Sequence, residues 1–282
     1  MSNLDKNTTI TKASGEKALF DLSKLRRSLE RSGANEMVVL QVLEEIQGLL
    51  YNGITTEEIY KKAFSLLQKS SRSTASRYKL KKAIYELGPT GFPFEKFVAA
   101  ILKYEGFQTE IDVIVKGHCV NHEVDIVAEK EDKHFMVECK FHNDQGRVCD
   151  VKIPLYIHSR FLDVEKQWKQ HPGHEFKFHQ GWIFTNTRFT FDAIQYGNCS
   201  GLMLVGWDYP KKGSLKERID LSGLHPITSM TTITNYEKKK LLAKEKVLCM
   251  EIYHHPELLN SIGISEKRHK RILKEAQELC GT

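Results

Sequence analysis

Residues 117–142 read GHCVNHEVDIVAEKEDKHFMVECKFH, and no other stretch narrows the folding options of the chain as far. Val124, Ile126 and Val127, then Phe135, Met136 and Val137, form two short apolar runs around the charged segment EKEDK. Two such runs with a polar break predict an antiparallel hairpin. Glu138 and Lys140 are two residues apart and so share one side of a strand, where Asp125 on the paired strand can meet them. Two desolvated carboxylates repel one another, and a cation between them relieves the repulsion. Oxygen ligands of this kind, completed by water and phosphate, suit Mg²⁺ or Mn²⁺. A metal on Asp125 and Glu138 would acidify its water and stabilise charge on a phosphoryl group. Lys140 could orient the attacking water or offset developing charge. The expected chemistry is metal-assisted phosphodiester hydrolysis, although an isolated Glu-x-Lys pair is more often a surface ion pair on a strand edge.

The set Asp125, Glu138-Cys139-Lys140, preceded by an amphipathic helix that carries Glu95, resembles the PD-(D/E)xK nuclease superfamily and, within it, the Mrr-like restriction endonucleases. The resemblance implies that Asp125 and Glu138 bind the metal, that Lys140 assists the nucleophilic water, and that Glu95 adds direct or outer metal ligation. Val124 stands where the motif has its proline, and Glu138 where the Mrr-like proteins often have glutamine. It further implies an endonuclease acting on DNA in preference to RNA, with a role in restriction or defence against foreign DNA.

A chain of 282 residues suggests about two domains, and 40% hydrophobic content is enough for real cores. The fold class expected is α/β (α+β): an N-terminal β-hairpin with four helices over 8–87, a mixed sheet flanked by helices over 92–212, and a helical tail over 214–282. No apolar run reaches the roughly 20 residues of a membrane span. MSNLDKNTT carries no apolar signal segment, so a cytoplasmic protein without membrane association is expected. The six cysteines lack Cys-x-x-Cys spacing and read as thiols in a reducing compartment. The net charge of +6 divides as +5 over 1–87, −2 over 88–213 and +3 over 214–282. An acidic centre with basic ends fits a metal site flanked by surfaces that hold a polyanion, and it also fits ordinary solubility.

In the first segment a strand near Ile10 turns at Ser14-Gly15 and returns through Ala18-Leu19-Phe20. Asp21 is placed to cap a helix marked by Leu22, Leu25 and Leu29, with Gly33 at its end. Further helices are predicted from about 37 to 50, from a Thr55 or Thr56 cap, and from about 73 to 87. Lys12 with Gly15, Phe20-Asp21…Lys24-Leu25, the Gly53-Ile54-Thr55-Thr56-Glu57-Glu58-Ile59 helix start and Arg77-Tyr78…Ala83-Ile84 resemble the ATP-cone, the regulatory domain of ribonucleotide reductases and their repressors. The resemblance implies that Lys12 and Lys24 contact the phosphates of ATP or dATP, that Asp21 lies at the nucleoside, and that the nucleotide acts as an effector through homo-oligomer state. Ala13, Ser14 and Ala18 depart from that pattern.

GPTGFP at 88–93 is the clearest linker. Pro93 can open a helix whose apolar face is Phe94, Phe97, Val98, Ile101 and Leu102, with Glu95 at its edge. A strand is expected over 107–115, a helix across Ile157, Phe161, Val164 and Trp168, and buried parallel strands at GWIFTN and GLMLVGW joined by the crossover helix DAIQYG. Lys152, His158 and Arg160 could reach a phosphate backbone or lie on a solvated face. His122 and His142 flank the site strands, as tuning groups or as hydrogen-bonded structural residues. In the tail, Thr234 and Glu237 form a capping box, and Lys267, Arg268, Lys270 and Arg271 begin a last helix after a Gly263 turn. That arrangement resembles a helix-hairpin-helix, which implies sequence-independent contact with DNA phosphates.

The expectation is therefore a metal-dependent DNA endonuclease under adenine-nucleotide control. Its alternatives are a catalytically inactive, nucleotide-responsive DNA-binding regulator and a ribonuclease using the same site. Nucleotide hydrolysis is not expected, since the chain has no Gly-x-x-x-x-Gly-Lys-Ser/Thr loop.

Overall fold

A computed structural model of the chain describes residues 8–144, 146–170 and 178–281. The architecture is mixed α/β with a small hairpin and helices at the N-terminus, a central five-stranded mixed sheet and a helical C-terminus. It divides into two compact units, one of residues 1–84 with 225–282 and one of 85–224.

The N-terminal segment begins with strands β1 (Thr9–Thr11) and β2 (Lys17–Leu19), paired antiparallel, with Gly15 at φ 81° in the turn. Asp21 caps α1 (Leu22–Arg31), accepting from the Ser23 and Lys24 amides at 3.0 and 3.2 Å. Asn35 caps α2 (Glu36–Gln47). Thr55 and Glu58 close a capping box on α3 (Thr56–Ser70), which satisfies two orphan donors reciprocally. The helix expected over 73–87 is two, α4 (Arg72–Tyr78) and α5 (Leu80–Tyr85), interrupted at Lys79. Leu25, Leu29, Val42, Ile46, Ile59, Ala63 and Leu67 form the core of this segment.

The central unit opens with α6 (Phe92–Tyr104), which has Pro93 in its first turn and buries Phe94, Phe97, Val98, Ile101 and Leu102. The sheet follows in spatial order β3 (Gln108–Lys116), β4 (Asn121–Lys130), β5 (Lys133–Lys140), β6 (Phe178–Thr185), β7 (Met203–Val205). The first three strands are antiparallel, whereas β6 and β7 run parallel to β5. The β4–β5 turn is tighter than the five-residue loop expected from EKEDK. Glu129 and Lys130 belong to β4 and Lys133 to β5, leaving Glu131 and Asp132, both at positive φ. Two residues with positive φ match the right-handed strand twist better than a longer polar loop. Helix α7 (Lys152–Trp168) links β5 to β6, and α8 (Phe191–Cys199) is the crossover to β7. Val115, Val124, Met136, Phe161 and Val164 pack α7 onto the sheet. Helix α9 (Leu215–Ser222) closes this unit, so the C-terminal segment begins later than Ser214.

A 3₁₀ turn at Ile227–Ser229 leads to α10 (Asn235–Ala243), α11 (Cys249–His254), α12 (Glu257–Ser261) and α13 (Glu266–Cys280). The capping box of Thr234 with Glu237 is formed, and Gly263 takes a left-handed conformation between α12 and α13. This segment shares its compact unit with the first. Ser76 and Arg77 of α4 bond to Glu275 Oε1 at 2.7 Å and to the Glu278 carbonyl at 2.6 Å, and Thr228 Oγ1 donates to the Ala83 carbonyl at 2.7 Å. Among the described residues no helix is long and apolar enough to cross a membrane.

Candidate functional site

Strand register brings the three principal residues of the central unit together. Ile126 pairs with Val137, so Asp125 comes opposite Glu138 on the same sheet face, with Lys140 two residues further along. The Cys139 amide donates to Asp125 Oδ2 at 2.6 Å. Lys140 Nζ lies 2.6 Å from Glu138 Oε1. Arg160, from α7, donates to Glu138 Oε2 at 2.7 Å and to the Glu123 carbonyl. The Glu138 side chain is only 5% exposed, with a cation on each oxygen.

Electrostatics follow from that packing. Burial, reinforced by the neighbouring Glu138, pushes the Asp125 carboxyl up to about 6, although the Cys139 amide, Lys140 and Arg160 oppose the shift. Burial pulls the Lys140 ammonium down, but Glu138 more than restores it, leaving it above the ordinary lysine value. Glu95 on α6 is pushed up to about 7, by burial first and then by Asp125, Asp112, Glu138 and Glu123. The helix-edge glutamate thus shares the electrostatic field of the two strand carboxylates. Carboxyls raised by desolvation and mutual repulsion are groups that a cation would return to the ionised form.

Asp112 is a residue that the sequence did not single out. It falls opposite Asp125, between the pairs Ile111–Ile126 and Val113–Val124, and its φ is 58°. Aspartate tolerates this left-handed region better than most residues, and such backbone tends to collect at functional sites. The available signal was the near-repeat of EIDVIV and EVDIV, each placing an aspartate inside a β-branched run. Arg160, expected either to reach a phosphate backbone or to lie on a solvated face, is instead committed to Glu138.

Histidines around the site have structural partners. His122 Nε2 lies 2.8 Å from Asp163, whose carboxylate also accepts from the Cys119 and Val120 amides. That pairing with His122 and the turn amides holds Asp163 below the usual carboxylate range. His142 stands beside Cys149 Sγ at 3.4 Å, and burial lowers its pKa. His158 bonds to the Tyr196 hydroxyl at 2.8 Å. All six cysteines are free.

In the N-terminal segment, Lys12 pairs with Glu16 at 2.9 Å across the hairpin turn, and Lys24 reaches Asp21 at 3.6 Å. Asp21 lies below its ordinary pKa, chiefly through the Ser23 hydroxyl. Its carboxylate caps α1, so its first role is structural. Lys24 is 74% exposed, and Lys12 43%. Both are accessible to an anion, though neither stands without a carboxylate neighbour.

Among the described residues, no group of three or more His, Cys, Asp or Glu is placed to hold a metal ion. Mg²⁺ typically needs only one or two protein carboxylates, with water and substrate phosphate completing its shell. The opposed pair Asp125 and Glu138 fits that smaller requirement by donor chemistry and by the raised carboxyl of Asp125.

The fold and site thus describe an N-terminal hairpin with helices and a mixed-sheet unit with an acidic cluster on β4 and β5. Residues 8–86 match the ATP cone domain, and residues 225–280 match the family described as AF1548-like, C-terminal. An uncharacterized protein of Archaeoglobus fulgidus is 37% identical over 185 residues, 65% of this chain and the whole of that protein. A crystal structure titled as the protein of unknown function AF1548 superposes with a TM-score of 0.56 at 37% identity, covering 68% of this chain and 99% of that one. This chain belongs to the AF1548-like family and carries an ATP cone at its N-terminal end.

Proposed function

We propose that the central unit hydrolyses phosphodiester bonds of DNA with the help of a divalent cation, Mg²⁺ or Mn²⁺, under the control of ATP or dATP at the cone. The observation that carries this reading is the opposition of Asp125 to Glu138 with Lys140 on the same face. Asp125 and Glu138 are the residues that would hold the ion, which would supply charge stabilisation at the phosphoryl group and acidify water. Arg160 fixes the Glu138 carboxylate through Oε2, and the ion would share Oε1 with Lys140. The ammonium of Lys140, held in its charged form by that carboxylate, is placed to oppose negative charge as it develops. Glu95, near half-titration at neutral pH, is suited to accept or release a proton. The motif resemblance of Asp125, Glu138-Cys139-Lys140 and Glu95 to Mrr-like restriction endonucleases supports a role in restriction or anti-phage defence, and the cone supports effector control through homo-oligomer state.

The test is incubation of supercoiled plasmid with the full chain and Mg²⁺ or Mn²⁺, with and without ATP and dATP. Parent protein should nick or linearise the plasmid, and Lys140→Ala should cut at least ~100-fold more slowly. Intact plasmid in every nucleotide condition, or equal cutting by the variant, refutes the nuclease reading. A parallel RNA substrate separates a deoxyribonuclease from a ribonuclease. For the cone, Lys12→Ala and Lys24→Ala should each weaken ATP binding, measured by titration calorimetry.

A second reading has its own support. Both oxygens of Glu138 already hold cations, which suits a nuclease-like fold used as a nucleotide-responsive DNA-binding regulator. It is distinguished by salt-sensitive DNA binding without metal-dependent strand breaks.

A further inference from the structure

Helix α13 has two faces with different tasks. Ile272, Glu275, Ala276 and Leu279 are buried. The buried Glu275 carboxylate accepts from Ser76, from the Thr231 amide and hydroxyl, each at 2.7 Å, and from the Thr232 amide and hydroxyl. Lys267, Lys270, Arg271 and Lys274 are exposed on another face, at the i, i+3, i+4 and i+7 spacing that sets side chains in one stripe. Arg271 and Lys274 line a groove of about 380 Å³ whose other wall is Ser70, Ser71 and Arg72. The same groove contains Glu275 and Glu278, the first saturated by its five donors and the second 3.9 Å from Lys274.

Neighbouring cations are used differently. Arg268 is bound to Glu237 and to the Thr232 carbonyl, Arg77 to the Glu278 carbonyl, and Lys79 to the Thr228 carbonyl. Among the described residues, no ion pair engages Arg72, Lys267, Lys270 or Arg271. Their placement is also unfavourable to the helix that carries three of them. Lys267, Lys270 and Arg271 lie in the first two turns of α13, and no basic residue lies in its last turn. The macrodipole favours anions at that first end and cations at the other, and like charges at i, i+3 and i+4 repel. The stripe therefore costs the helix stability and concentrates positive potential, which an external polyanion would relieve.

We propose that this groove, walled by Arg72, Arg271 and Lys274 and extended by Lys267 and Lys270, is a docking surface for the phosphate backbone of duplex DNA. The choice of DNA rests on the substrate reading above. Contact is assigned to phosphate, since the cations Arg72, Arg271 and Lys274 with the hydroxyls of Ser70 and Ser71 are donors of the kind that fix a protein's position on the backbone. Arg72 belongs to the ATP cone and α13 to the C-terminal segment, so the surface is composite and exists only when both are present.

The experiment is fluorescence anisotropy with a fluorescein-labelled DNA duplex of about 30 base pairs, titrated without divalent ion across a range of NaCl concentrations. The parent chain should bind, with log Kd rising linearly with log salt. Replacing Lys267, Lys270, Arg271 and Lys274 together by Gln should lower that slope by about 3–4 and weaken binding at least ~10-fold at low salt. Arg72→Gln alone should weaken binding in the same direction. The pair Lys267→Gln with Lys270→Gln, away from buried Glu275, gives a second variant whose melting temperature should equal or exceed the parent's, because part of the like-charge stripe is gone. Failure of the parent to bind overturns the proposal, and so does a parental slope in variants that melt at or above the parent's temperature. Plasmid cutting by a chain whose binding ignores these substitutions would sink the groove alone, whereas groove-dependent binding without cutting would sink the nuclease reading alone.

Discussion

Replacing Glu275 by Ala is expected to loosen the joint between the ATP cone and the C-terminal segment while leaving the central unit intact. The carboxylate is 2% exposed and accepts five hydrogen bonds from Ser76, Thr231 and Thr232. The three hydroxyls can rotate to other acceptors, but the Thr231 and Thr232 amides cannot. Two stranded backbone donors at about 1–3 kcal/mol each give an expected loss of about 2–6 kcal/mol. Glu275→Gln keeps the volume but turns an NH₂ group toward donors, so a loss of about 1–3 kcal/mol is expected. The three tryptophans, Trp168, Trp182 and Trp207, all lie in residues 85–224, so tryptophan fluorescence in urea follows the central unit and serves as the internal control. Hydrogen exchange of peptides spanning 71–84 and 228–243 reports the other unit. Faster exchange in those peptides, with an unchanged fluorescence midpoint, is the expected result. Parental exchange in both peptides would refute the assignment of Glu275 as the pin between α4 and α13.

Further outcomes follow from the charged groups. The Glu95 carboxyl is raised from 4.5 to about 7, so folding is penalised as pH rises from about 4.5 to 7, fully so above 7. Glu95→Gln should therefore raise stability by about 1–2 kcal/mol above pH 7, after discounting for its partial exposure, with the gain vanishing below pH 4.5. A melting-temperature series across pH checks this. Glu237 behaves oppositely, because the Arg268 hydrogen bonds hold it down at about 2. Its contribution is present above about pH 4.5 and fades as pH falls through 2. Arg268→Gln should cost about 1–2 kcal/mol at pH 7 and flatten the acid limb of the stability curve, measured by urea unfolding with hydrogen exchange as readout. Arg160→Met removes one of two partners of buried Glu138 and should cost about 2–4 kcal/mol. If Asp125 and Glu138 hold a cation, millimolar Mg²⁺ should restore more stability to this variant than to the parent in a thermal shift assay.

Local structure was legible wherever its determinants lie close in the chain. Asp21, Thr55 and Thr234 cap helices as their sequence contexts indicate, since a cap requires only a side-chain oxygen within three residues of the amides. Alternation along β4 and β5 placed Asp125, Glu138 and Lys140 on one face, because a pleated strand fixes facing with period two. Less was legible where the partner is distant. Arg160 is 22 residues from Glu138, and its commitment to that carboxylate depends on how α7 crosses the sheet. Asp112 is set by the β3–β4 register together with a local left-handed backbone. Pairing of Arg268 with Glu237 withdraws one member of a basic cluster that looks uniform in sequence.

By itself the sequence determined the element types, the hairpin that carries the acidic residues, the ATP cone and the uneven distribution of charge. These depend on periodicity, capping and composition, which act over a few residues at a time. Only tertiary structure decided that the C-terminal segment shares a compact unit with the cone, that Glu138 is enclosed between two cations, and that α13 has one buried and one cationic face. Those outcomes are contacts between residues as many as 201 positions apart, as between Arg77 and Glu278. Burial and hydrogen-bond satisfaction select such contacts after the chain has folded around them, and no short-range pattern encodes which distant partner will be met.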